Sequence, residues 1–145
     1  MRMTIPYRAA VLALSTACTA LPAMAEGAEF ITLPPAQLDW QSTPEGVAFA
    51  ALDGNRFEEP YMAMVRLPSG LVSPAHTKSA NMFGVVVAGT MTHNAVGAET
   101  GTVLPRGSFY KIPRDVPHIS QCISEVDCVT FLYQDGKFDF LPVAN

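Results

Sequence analysis

Residues 70–89 read GLVSPAHTKSANMFGVVVAG, and this stretch decides the fold. Its first half is broken by turn formers: Pro68-Ser69-Gly70 closes the apolar run before it, and Pro74 stands two residues ahead of His76. Its second half, Phe83 to Ala88, is the most β-branched run and ends at Gly89. His76 and Lys78 are two apart, so on a strand they share a face. Met82 lies four residues beyond Lys78, past a bend expected at Ser79 to Asn81.

Short apolar runs cut by turn residues recur on either side. Val47 to Leu52 is closed by Asp53-Gly54-Asn55, and Tyr61 to Leu67 is followed later by Gly101 to Leu104, Ser108 to Ile112 and Val129 to Tyr133. These runs are four to eight residues long, with no amphipathic helix of useful length. Many short strands with Gly and Pro turns predict an all-β sandwich or barrel of six to eight strands. The absence of a 20–50-residue repeat argues against a solenoid or propeller. A second stretch, GSFYKIPRDVPHISQC at 107–122, holds His118. Pro113 and Pro117 should bracket a turn there, since neither can sit in a central strand. His118 can meet His76 and Lys78 only if the sheet curls on itself, as inward-facing side chains of a small barrel do.

The two stretches resemble the two split motifs of the cupin superfamily. The first motif spaces Gly, His, His, Glu and Gly; this chain has Gly70, His76, Lys78, Met82 and Gly89 at those positions without a gap. The second spaces Gly, Pro, Gly, His and Asn; this chain has Gly107, Pro113, Asp115, His118 and Cys122. The resemblance covers most of residues 47–133. It implies an all-β, single-domain cupin barrel (a double-stranded β-helix, jelly-roll-like) over 47–145, with His76, Lys78, Met82 and His118 lining the pocket. The run His-Thr-Lys-Ser-Ala-Asn before a β-branched strand, with Cys122, Cys128 and the Lys-Phe-Asp-Phe tail, also resembles a group of small secreted cupins of unassigned function. Typical cupins hold a divalent metal on His, His, Glu and His. Here Lys replaces one ligand and Met another. A protonated Lys repels a metal, and a thioether suits hard ions poorly, so the resemblance implies a degenerate metal site with His76 and His118 as its remaining ligands.

The chain's ends suggest an address. Arg2 and Arg8 precede the apolar run Ala9 to Ala20, and Ala23-Met24-Ala25 is the small-x-small pattern of a cleavage site. Residues 1–25 are expected to be a signal peptide, placing the mature chain in the periplasm or outside the cell. Residues 26–46, with Pro34-Pro35, are expected to form an extended arm in which Trp40 anchors against the barrel. No later run is long enough to span a membrane, so no stable membrane anchor is expected. The formal charge is −4, and removing Arg2 and Arg8 makes it more acidic. An acidic surface without basic clusters argues against nucleic acid as a partner. Cys122 and Cys128 remain after the signal; an oxidising compartment favours a disulfide between them, against the alternative of two free buried thiols.

Four functions compete. The first is a small-molecule-binding cupin without a tight metal, its ligand anionic or carbonyl-bearing. The second is a metal-dependent oxygenase- or isomerase-type enzyme using His76 and His118. In the third, His76, His118 and Met82 hold copper(I), which favours imidazole and thioether donors. In the fourth, the barrel serves assembly alone. A homodimer is expected, as in many small cupins. His93, between Thr92 and Asn94, is expected to be an exposed turn residue, and Asp115 to hold a turn where cupins carry Gly.

Overall fold

The computed structural model describes residues 30–143; the signal peptide expected over 1–25 lies outside the described residues. Within the unit Thr32–Asn145, the chain forms a 3-10 turn at Pro35–Gln37 and eleven strands. These are β1 (Trp40–Ser42), β2 (Ala48–Asp53), β3 (Tyr61–Leu67), β4 (His76–Thr77), β5 (Met82–Ala88) and β6 (Thr90–Ala95). They continue as β7 (Leu104–Pro105), β8 (Phe109–Ile112), β9 (His118–Cys122), β10 (Cys128–Gln134) and β11 (Leu141–Pro142). The count exceeds the expected six to eight for two reasons. Four strands, β1, β4, β7 and β11, are only two or three residues long, and β6 and β9 are too polar to show as apolar runs.

The strands make two antiparallel sheets, one ordered β1-β2-β3-β10-β5-β8 and the other β11-β4-β9-β6-β7. Each keeps its own edges, so the expected barrel is an open two-sheet jelly roll. Period-two alternation builds the core between them. On β3, Tyr61, Ala63, Val65 and Leu67 point inward while Met62, Met64 and Arg66 point out. On β10, Cys128, Thr130, Leu132 and Gln134 point inward. The disulfide Cys122–Cys128, with a Cα–Cα distance of 5.6 Å, joins the end of β9 in one sheet to the start of β10 in the other.

Two backbone positions aim side chains at the interior. Gly84 on β5 pairs with Tyr110 on β8, and a Cβ at Gly84 would overlap the Tyr110 ring. Only glycine lets that ring lie across β5. Asp115 takes the left-handed conformation (φ 62°), as a turn-tolerant residue can, and its N–H donates to the Lys78 carbonyl at 2.8 Å. That bond ties the turn before His118 to the segment carrying His76.

The arm is tied to the sheet at Trp40–Ser42. Trp40–Ser42 pairs with β2 of the same chain, and the Arg66 guanidinium lies 4.0 Å over the Trp40 ring. Among the described residues no helix is long and apolar enough to cross a membrane.

Candidate ligand-binding cavity

A cavity of about 520 Å³ lies between the sheets. Its walls are mostly apolar, with Phe49, Val65, Leu67, Met82, Met91 and Leu132 among them. Among its polar groups are His76, Lys78, His93, Tyr110, Ser120 and Thr130, and Glu45 and Arg56 are further charged residues of its lining. An apolar cleft of this size with a few placed polar groups is how small-molecule sites are built.

His76 and His118 come together as the motif spacing predicts. They are directly paired across β4 and β9, with ring centroids 4.2 Å apart. Each ring is held the same way: the His76 Nδ1 lies 2.8 Å from the Pro74 carbonyl and the His118 Nδ1 2.9 Å from the Val116 carbonyl. Carbonyls only accept, so each Nδ1 carries the proton and each Nε2 keeps its lone pair. Burial lowers both pKa values, that of His76 to about 4, so both are neutral at pH 7. His76 and Met82 reach the cavity. His118 is not among the residues that wall it; its ring packs against His76, which also stacks on Phe140 at 4.1 Å.

Lys78 is 5% exposed. Its Nζ lies 4.1 Å from the centroid of Phe138 and 5.4 Å from that of Phe140, and it donates to the Asp139 carbonyl. The Asp139 carboxylate instead accepts from the Ser79 N–H at 3.2 Å. Among the described residues Arg114–Asp115 is the one ion pair within 4 Å, so Lys78 has no carboxylate partner there. Burial pushes its amine down to about 8, against the Asp139 carboxylate, which lies beyond ion-pair distance and favours the charged form. The ammonium is still the main form at pH 7, held by ring faces and one carbonyl.

Three wall residues escaped the sequence reading. His93 is the first, and its expected exposed turn is corrected: it sits on β6, paired with Ser120 of β9, on the inner face. Its Nδ1 meets the Ser120 Oγ at 2.8 Å, its ring lies 4.2 Å from Tyr110, and its Nε2 is buried without a hydrogen-bond partner. Burial lowers its pKa to about 4. Arg56 is the second; it lies over Phe49 at 4.4 Å and Phe57 at 4.6 Å and adds a second cation to the wall. Phe140 is the third, delivered by the tail, which β11 pins to β4 through the Leu141–Thr77 and Pro142–His76 pairs.

The donor set does not fit a hard divalent ion. Two imidazoles, an ammonium engaged elsewhere and a thioether offer no anionic ligand. Among the described residues no three His, Cys, Asp or Glu are grouped to hold a metal.

Two facing antiparallel sheets around a cavity, with one histidine from each of two motifs meeting inside, define a cupin-type jelly roll. The chain belongs to the family described as Domain of unknown function (DUF4437), whose model matches residues 15–141. Solved structures share the fold. The polyketide cyclase RemF from Streptomyces resistomycificus superposes with a TM-score of 0.66 at 12% identity, covering 81% of this chain and 87% of its own. An RmlC-like cupin from Shewanella frigidimarina gives 0.59 at 19% identity, covering 74% and 91%. KdgF from Halomonas sp. gives 0.58 at 18% identity, covering 71% and 93%. No curated protein matches the chain.

Proposed function

We propose that this chain is an exported cupin whose cavity binds a small anionic molecule with an apolar body, without a tightly held metal. The observation that carries this reading is Lys78: a buried cation on an apolar wall with no carboxylate partner among the described residues. An unpaired buried charge is costly, and an anionic ligand would offset that cost. Arg56 on the same wall leaves its charged groups net positive against the one lining carboxylate, Glu45, and the unpartnered Nε2 of His93 offers a hydrogen-bonding position to a polar group of the ligand. The Cys122–Cys128 disulfide supports export, since such bonds persist in oxidising compartments.

Fluorescence titration with 2-naphthoate and the neutral 2-naphthamide tests the reading. The anion should bind more tightly. That preference should fall about tenfold in Lys78→Met, the scale of one charge-assisted hydrogen bond. Equal binding of anion and amide by the wild type would remove the proposal.

The second copy of a homodimer is proposed to sit on the outer face of the six-stranded sheet. Met64, Phe131, Val85 and Phe109 are consecutive register partners across β3, β10, β5 and β8, and Val85 and Phe109 are exposed. Contiguous apolar faces of this kind mark interaction surfaces.

A further inference from the structure

Lys78 carries a chemistry that charge recognition does not use. It is a primary amine inside an apolar cavity, nearly sealed from bulk water. Its nearest contacts among the described residues are two ring faces and the Asp139 carbonyl; the Asp139 carboxylate favours the ammonium from beyond ion-pair distance, and burial outweighs it. Lysines that react with carbonyl compounds are made in this way, by desolvation in an apolar pocket. His76 lies two residues earlier and lines the same cavity. Its Nδ1 proton is committed to Pro74, which leaves Nε2 as an acceptor. Lys111 and Lys137, by contrast, are exposed on the surface.

We infer that Lys78 captures a carbonyl-bearing ligand as an imine inside the cavity. The inference rests on the cavity reading above and names the ligand class more closely: an anionic aldehyde or ketone. In the step, the lone pair of the neutral amine attacks the carbonyl carbon and forms the C–N bond. The C=O π pair moves to oxygen, which takes up a proton, while nitrogen gives one up, giving a carbinolamine. The nitrogen lone pair then forms C=N as the hydroxyl leaves with a proton as water. One amine and one carbonyl become one imine and one water, with no change of oxidation state. Both hydrogens of the amine end on the departing oxygen, so the step consumes no outside acid or base.

The test is reductive trapping of the wild-type chain with 6-formyl-2-naphthoate and cyanoborohydride, followed by peptide mapping. Binding of 2-naphthoate is measured in parallel. Lys78 should be labelled at least about tenfold faster than Lys111 or Lys137, as positioning predicts, and excess 2-naphthoate should suppress that label selectively. Equal labelling of the three lysines, with 2-naphthoate still binding, overturns the imine and leaves the cavity reading standing. Failure of 2-naphthoate to bind overturns the cavity reading and the imine with it. Because the readout comes from the unmodified chain, it does not depend on a Lys78 variant that folds.

Discussion

His76 and His118 are held by the same local device in two separate segments. In each, the ring Nδ1 lies within 2.9 Å of the carbonyl two residues before it, and the β4–β9 pairing sets the rings 4.2 Å apart, tilted by 52°. In cupins that hold a metal, such a bond would aim Nε2 at the ion. Here His76 is stacked on Phe140 instead, and the ammonium of Lys78 shares its wall.

This leads to a metal prediction. Millimolar Mn²⁺ should leave the wild-type Tm unchanged, because an ion that does not bind the folded state does not stabilise it. The double variant Lys78→His, Met82→Glu restores the donor set of the cupin motif. It should gain a metal-dependent rise in Tm; saturation at a hundred times Kd is worth about 2.7 kcal/mol. Differential scanning fluorimetry with and without chelator reads both. A wild-type Tm that climbs with Mn²⁺ would show that the two imidazoles suffice.

How much of this was legible in the sequence depended on where each signal lay. Five strands of the six-stranded sheet, all but the three-residue β1, were readable because their apolar runs are local: Tyr61–Leu67 is both the expected run and the observed strand. β6 and β9 were not readable as apolar runs. Their inward positions carry His93, His118 and Ser120, which look like loop residues until the facing strand is known. His93 was misplaced for that reason: its partner Ser120 lies 27 residues away, and nothing beside it in the chain announces the pairing. The His76–His118 contact was legible because two Gly/Pro frameworks carried it. Arg56 reaches the cavity through the turn after β2, which no motif marks; the alternation of Phe138 and Phe140 in the tail suggests a last strand packed on the barrel, and the structure brings Phe140 to the cavity without forming a strand there.

Acid should weaken the fold over a defined window. His93 and His76 are held neutral by burial, with folded pKa values of about 4 against 6.5 for the free side chain. Between pH 6.5 and 4 the unfolded chain takes up protons that the folded chain refuses. Stability therefore rises with pH across that window and is lost as pH falls through it, each group contributing up to about 1.4 kcal/mol per pH unit. Urea midpoints at pH 7, 5.5 and 4.5 should fall in that order, and less steeply in His93→Gln. A flat profile in the wild type would mean that these rings are solvated.

The disulfide should matter more than its short loop suggests. A separation of six residues gives a loop-closure contribution of about 2 kcal/mol. The bond also fixes the hinge where the chain passes from β9 in one sheet to β10 in the other, at the closed end of the core. Reduction under native conditions should lower the urea midpoint by an amount matching about 2 kcal/mol or more, and Cys122→Ala/Cys128→Ala should reproduce the loss. An unchanged midpoint after complete reduction, verified by thiol alkylation, would assign the bond no structural weight.

Self-association is tested on the outer face of the six-stranded sheet. Phe109 is 64% exposed there, and its register partner Val85 is also exposed. Neither touches the cavity, so charges placed at both positions should leave the interior intact. The wild type should sediment as a dimer at micromolar concentration. Phe109→Glu with Val85→Lys should weaken the dimer by at least about a hundredfold, since two apolar anchors of an interface centre are worth several kcal/mol together. Its 2-naphthoate affinity should stay at the wild-type value. If the variant remains dimeric, the second copy sits elsewhere; if the wild type is monomeric at tens of micromolar, the exposed face has another occupant.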